Sequence, residues 1–171
     1  YKNIIRLIIA YKKVLDNTKT SAKLMIAGSG GFTHYDKKIK KCINNLKLND
    51  NVLLLGNVSK ESLKKLYLNA HFLAFPSPFE NFAYTLVEAM SCGVPIVCSN
   101  TTAIPETCQN AAIYFDPYNS QDMANKMKII LNNDLLRKEM SKKSIMRAKE
   151  LPNYNEVTLK TLNIMRDLIN E

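Results

Sequence analysis

A chain of 171 residues with 46% hydrophobic content is long enough and apolar enough for one globular domain with a substantial core, which excludes a disordered tail or a linker. Its formal net charge of +9 fits attraction to phosphates or to an anionic membrane surface, and equally fits solvated lysine-rich helix faces. No aromatic-plus-basic signature of an RNA-binding sheet accompanies that charge, no apolar run reaches membrane-spanning length, and Cys42, Cys92, Cys98 and Cys108 form no C-x-x-C pair. The expectation is a reduced, cytoplasmic protein without a structural metal and without a nucleic-acid partner.

Along the chain, helical and strand-like segments alternate. Residues 3–15 carry Ile4, Leu7, Ile8, Tyr11 and Leu15 at helical spacing, giving one buried stripe. Short apolar runs at 23–27, 52–55, 72–75, 96–98 and 112–115, each bounded by Gly, Pro, Asn or Ser, read as strands. Helical patterns at 35–46, 61–68 and 85–91 separate them. Unbroken apolar strands alternating with helices imply a Rossmann-like, doubly wound parallel sheet covered on both faces. After Phe115 the pattern changes to three helices, at 120–132, 134–150 and 155–169, punctuated by Asp116-Pro117 and Leu151-Pro152. Residues 1–171 are read as one domain.

In such sheets ligands bind beyond the carboxyl ends of the strands, so the loops following the strands are the candidates for chemistry. Gly28-Ser29-Gly30-Gly31 follows the first strand. Glycines there let a phosphate or sugar approach the backbone, and they serve a tight turn equally well. The dinucleotide fingerprint G-x-G-x-x-G is incomplete, because Thr33 stands where its third glycine belongs. The loop Pro76-Ser77-Pro78-Phe79-Glu80-Asn81-Phe82 leads into a helix beginning near Ala83 or Tyr84. Amides of Phe82, Ala83, Tyr84 and Thr85 would point out of that helix start and suit a diphosphate. Glu80 sits at the loop apex, and Glu88 lies one turn beyond Tyr84. Spacing alone leaves Glu88 open to a solvent-exposed role. Gly93 reads as the residue past the helix end, with Pro95 restarting the chain as a strand. Glu106 follows Pro105 in a possible short helix, where capping and ligand contact fit equally.

Taken in order, these segments resemble the C-terminal, donor-binding domain of GT-B glycosyltransferases of family 4, the glycosyl transferases group 1. The resemblance rests on Lys2-Asn3 and on Ile26 to Gly30. It continues through Val52 to Val58 and through Phe75-Pro76-Ser77 leading into an E-x7-E motif from Glu80 to Glu88. It extends over Ala89-Met90, Gly93 to Val97, Ile104-Pro105-Glu106 and Tyr114 to Pro117. It implies a retaining, metal-independent hexosyltransferase that uses a UDP- or GDP-sugar donor and needs no further cofactor. The acceptor would be a glycan or a lipid-linked sugar at the inner face of the membrane, with peripheral membrane contact. Residues 98–106 resemble hexosyltransferases of bacterial surface polysaccharide synthesis.

By position, the resemblance gives Glu88 to the ribose hydroxyls and Glu80 to the donor sugar. It gives Lys2 and the amides of Phe82, Ala83, Tyr84 and Thr85 to the diphosphate, Gly28 to the sugar-phosphate and Val58 to the base. The family commonly has Gly where Asn81 and Ala83 stand. Its first strand, with an arginine, and its acceptor-binding N-terminal domain are expected upstream of these residues, so the isolated domain is expected to be inactive. The alternative from another class is a non-catalytic Rossmann-like nucleotide-binding or regulatory domain.

Overall fold

The computed structural model describes residues 2–28, 33–152 and 154–170. In chain order these form α1 (Ile4–Asp16), β1 (Leu24–Ala27), α2 (Thr33–Asn45), β2 (Val52–Gly56), α3 (Lys60–Asn69), β3 (Leu73–Phe75) and α4 (Tyr84–Ser91). They continue as β4 (Ile96–Ser99), α5 (Ile104–Cys108), a 3-10 turn at Gln109–Ala111, β5 (Ala112–Phe115), α6 (Ser120–Leu131), α7 (Asp134–Glu150) and α8 (Tyr154–Asn170). Every strand pairing is parallel.

Side-chain alternation on β4 shows why the fold is doubly wound. Val97 joins a cluster with Leu7, Ile8, Tyr11 and Val14 of α1 and Met123, Ala124 and Met127 of α6. Its neighbours Ile96 and Cys98 face the other way, into a cluster with Leu86, Ala89 and Met90 of α4 and Ile104 and Cys108 of α5. With all four β4 residues buried, helices cover this strand on both faces, as its unbroken apolar run requires.

Two features depart from the sequence reading. Among the described residues the strands form two ladders, β1–β2 and β3–β4–β5, and not one continuous sheet. Nor is every strand covered twice: on β1, Leu24 and Ile26 pack on the core while Met25 is 52% exposed. Apolar composition registers a strand's capacity for burial. It does not say whether a layer covers each face.

Helix α8 forms where the sequence pattern places a helix. Its apolar residues recur on one side of the helix, yet Val157, Leu162, Ile164, Met165, Leu168 and Ile169 are all exposed. Among the described residues, no helix is long and apolar enough to cross a membrane.

The helices are held at defined angles by polar ties as well as by packing. Ser144 on α7 donates its hydroxyl to the Val94 carbonyl at 2.8 Å, fully buried. Arg147, one turn later, donates to the carbonyls of Glu106 and Thr107 at the end of α5. α6 and α7 start on asparagine caps, Asn119 and Asn133, whose side-chain oxygens accept first-turn amides.

Candidate functional site

The carboxyl ends of β3, β4 and β5 meet the start of α1, and this junction carries the candidate site. Asn3 is placed in the left-handed region (φ 59°) before the first turn of α1, with no capping bond from its own side chain. Its amide instead donates to the Pro76 carbonyl at 3.1 Å and to the Pro117 carbonyl at 2.7 Å. One side chain thus joins the loops after β3 and β5. Arg6 supports it, donating to Asn3 Oδ1 at 3.0 Å and to the Pro117 carbonyl at 3.1 Å. The Arg6 guanidinium also lies 5.7 Å from the centre of the Tyr118 ring, within cation–π range.

This anchoring delivers the preceding residue, Lys2, to the apex of the β3 loop. The Lys2 ammonium donates to Glu80 Oε1 at 2.6 Å, and the Glu80 side chain is only 13% exposed. Lys2 also lies 5.9 Å from the centre of the Phe75 ring. Two charges from opposite ends of the site are therefore already in contact, on a surface where negative and positive partners of a ligand could both be matched.

Glu80 is held by its backbone as well. Its N–H donates to Thr102 Oγ1 at 3.1 Å, and its carbonyl accepts from the Ala103 N–H at 3.4 Å. Thr101 Oγ1 donates to the Pro78 carbonyl at 2.9 Å, and the buried Ser99 hydroxyl donates to the Ser77 carbonyl. The loop after β3 therefore rests on the loop after β4. Thr102 has φ 53°, a region that costs a β-branched residue on the order of 1–3 kcal/mol.

α4 begins at Tyr84, with Ala83 as its buried N-cap. The helix start is not wholly open, because the Tyr84 N–H donates to the Phe82 carbonyl at 3.2 Å. That corrects the expectation of four free amides: the tight turn at 82–84 consumes one of them. The amides of Phe82, Ala83 and Thr85 have no backbone partner among the described residues. Phe82 and Tyr84 are exposed and stack edge to face, with ring centres 4.8 Å apart. Thr85 and Glu88 are exposed on the same helix. The Glu88 charge reaches Tyr67 on α3, whose hydroxyl is pushed up to about 12, first by burial and then by that carboxylate.

Gly28 closes β1 with φ 110°, and its N–H donates to the Gly56 carbonyl at 2.7 Å. A Cβ at Gly28 would meet nothing within 4 Å, so the backbone conformation is what calls for glycine here. Residues 29–32, the rest of that glycine loop, lie outside the described residues. Val58 follows β2 and is half-buried. Of the expected site residues, Lys2 and Glu80 are in contact. Phe82 to Thr85 and Glu88 lie on the start and first turns of α4, and Gly28 and Val58 follow the two strands of the other ladder. Sequence reasoning did not single out Arg6 or Thr102, since neither residue type signals its role by spacing.

A polar hollow of about 560 Å³ lies at the opposite, amino-terminal end of the strands, lined by Lys19, Thr20, Ser21, His71 and Asn132 among others. It shares no residue with the Glu80 loop. Among the described residues, no group of three or more His, Cys, Asp or Glu is placed to hold a metal ion. All four cysteines are free thiols. Cys98 and Cys108 interact beneath the loop after β4: burial pushes the Cys98 thiol up, and the Cys98 contact holds Cys108 down.

Known proteins share both this sequence and this architecture. The sequence model described as Glycosyl transferases group 1 matches residues 1–147. The O-antigen chain mannosyltransferase B of Escherichia coli is 30% identical over 162 residues, covering 95% of this chain and 42% of that protein. The chain thus spans about two fifths of the length of such a relative.

A sucrose-phosphate synthase from Thermosynechococcus elongatus superposes with a TM-score of 0.86 at 22% identity, over 99% of this chain and 43% of that one. HepE from Anabaena, solved in complex with UDP-glucose, superposes with a TM-score of 0.76 at 20% identity, over 95% of this chain and 44% of that one. At such identities the superpositions establish the Rossmann-like GT-B architecture, and the family match covers most of the chain: it belongs to the glycosyl transferases group 1.

Proposed function

We propose that these residues form the nucleotide-sugar-binding part of a retaining hexosyltransferase. The observation that carries this reading is the meeting of Lys2 and Glu80 at 2.6 Å beside the start of α4. A cation, an acid and helix-start amides converge beyond the carboxyl ends of parallel strands, where nucleotides bind in such folds. On this reading Lys2 and the amides of Phe82, Ala83 and Thr85 hold the diphosphate, the Tyr84 amide being taken by the Phe82 carbonyl. Glu88 holds the ribose, Glu80 faces the donor sugar, Gly28 borders the sugar-phosphate and Val58 the base. In transfer, the bond from the anomeric carbon to the diphosphate breaks and one to the acceptor hydroxyl oxygen forms, the hydroxyl proton passing to the departing phosphate. The developing negative charge falls where Lys2 and the α4 amides stand, so the reading assigns its stabilisation to them and to no metal or further cofactor.

The donor is a UDP- or GDP-sugar, supported by the UDP-glucose complex of HepE and by the mannosyltransferase name of the Escherichia coli relative. The acceptor is a glycan or lipid-linked sugar in surface polysaccharide synthesis, reached at the inner face of the membrane. Acceptor binding, and the first strand expected before Lys2, are assigned to a part of the relatives' length outside these residues, and the isolated domain is inactive on this reading.

Calorimetric titration of the full-length protein with UDP, GDP and ADP, beside Glu88→Ala, tests the proposal. One nucleotide diphosphate should bind, and the variant should weaken it about tenfold or more, as loss of hydrogen bonds to a charged group does. Absence of binding, or equal binding by the variant, overturns it.

A further inference from the structure

Four non-glycine residues among those described have positive φ: Asn3, Lys47, Thr102 and Gln109. Thr102 alone among them is β-branched, the side-chain class for which this region is an outlier and not a variant. A glycine would take the same φ of 53° without steric cost. What threonine adds is the hydroxyl, which both accepts and donates. It accepts the Glu80 N–H at 3.1 Å and donates to the Thr101 carbonyl at 2.8 Å. The second bond fixes the rotor, so that its lone pair faces Glu80.

The next residue completes the grip, since the Ala103 N–H donates to the Glu80 carbonyl at 3.4 Å. Residues 102–103 therefore hold both peptide groups of Glu80, while Lys2 meets its carboxylate from the other side. A strained conformation persists where the surrounding structure enforces it, and such strain collects at functional positions. Here the bonds that residues 102–103 make to the loop after β3 run to one residue, and it is the acid at the loop apex.

We infer that Thr102 is a positioning residue, whose left-handed backbone presents the hydroxyl that locks the Glu80 peptide and so aims the Glu80 carboxylate at the donor sugar. This rests on the reading of Glu80 as the sugar-facing acid. Removing the hydroxyl should loosen Glu80 without loosening the fold. The part of the binding free energy that depends on the sugar should then suffer, and the part that depends on the nucleotide should not.

The test compares Thr102→Gly and Thr102→Ser with the wild-type full-length protein in three measurements: hydrogen–deuterium exchange at the Glu80 amide, thermal midpoint, and affinity for UDP-glucose against UDP and GDP-mannose against GDP. In Thr102→Gly, Glu80 exchange should accelerate about tenfold or more. Its midpoint should hold or rise, because glycine relieves the strain. The nucleotide sugar should lose about tenfold in affinity while the nucleotide diphosphate keeps its own. Thr102→Ser, which retains the hydroxyl, should behave as wild type in exchange and affinity.

Unchanged exchange in Thr102→Gly, an unchanged sugar-dependent increment, or failure of Thr102→Ser to restore both overturns the inference. So does a lowered midpoint with equal losses for nucleotide and nucleotide sugar, which marks a purely structural residue. Failure of the donor reading is recognised separately, by wild-type protein that binds none of these nucleotides or by a Glu88→Ala variant that binds as wild type. The inference falls with it.

Discussion

Lys2 and Glu80, 78 positions apart in sequence, meet at 2.6 Å with the Glu80 side chain 13% exposed and that of Lys2 43% exposed. The pair bridges the start of α1 and the loop after β3. It neutralises Glu80 where a diphosphate is proposed to bring further negative charge. Half-exposed pairs of this kind contribute about 0–1 kcal/mol to stability, so the contact matters more for ligand electrostatics than for folding. Lys2→Met should leave the thermal midpoint within about 2–3 °C of wild type. It should weaken nucleotide diphosphate binding about tenfold and flatten its dependence on salt, because the lost interaction is a charge–charge one. Titrations at low and high ionic strength check both.

Asn3 anchors the same junction through backbone acceptors. Asn3→Ala removes the bonds to Pro76 and Pro117 and the one accepted from Arg6 and leaves alanine in a left-handed conformation that asparagine tolerates better. Three bonds at about 0.5–1 kcal/mol each, with the conformational cost, give a destabilisation of about 3–4 kcal/mol. Asn3→Gly keeps the conformation accessible and should recover part of that loss. Urea unfolding of the two variants separates the hydrogen-bond contribution from the backbone one.

These two residues show how far the sequence could be read. Apolar periodicity located the five strands and all the α-helices except α5 to within two residues, because β4 and α1 bury most of the residues that the pattern marks. Helix α5 and the 3-10 turn after it are too short to show a period. The acid-bearing loop and the start of α4 were also legible, since a strand, an irregular Pro-rich stretch and a helix follow in order. The conformation of Asn3 was not. An asparagine before a helix suggests a cap, and here the side chain instead reaches two loops distant in sequence. Thr102 was hidden for the same reason: its left-handed backbone is imposed by tertiary bonds to Glu80 that no local preference reveals. The two-ladder arrangement and the bare face of β1 depend on which elements lie beside a strand, and apolar content carries no such information.

Gly93, just past α4, has φ 72°, and a Cβ there would come within 3.1 Å of Ile145 Cδ1 and 3.3 Å of Ser141 Oγ on α7. Backbone strain and crowding act together at the point where α4 turns back into β4. Gly93→Ala should cost about 1–3 kcal/mol. Pairing it with Ile145→Val tests the steric part, because trimming the crowded side chain should recover a portion of the loss while the φ penalty remains. Denaturant midpoints of the single and double variants give the split.

Tyr67 offers a pH readout of where Glu88 stands. Burial, and secondarily the Glu88 carboxylate, push the Tyr67 hydroxyl up to about 12 from an unfolded value of 10.0. A tyrosine whose folded pKa is raised keeps its proton in the folded state while the unfolded chain loses it. Its contribution to stability is thus complete below pH 10 and is lost as pH rises through about 12. Tyr11 and Tyr114 are also raised by burial, so Tyr67→Phe should reduce the alkaline fall in stability without abolishing it. Glu88→Gln removes the charge while keeping the shape of the side chain, and it should bring the Tyr67 transition down toward the ordinary tyrosine value. Phenolate absorbance during alkaline titration of wild type, Glu88→Gln and Tyr67→Phe follows the transition directly. An unmoved transition in Glu88→Gln would place the carboxylate away from α3, and with it would remove the electrostatic link between the second acid of the E-x7-E motif and the Tyr67 face.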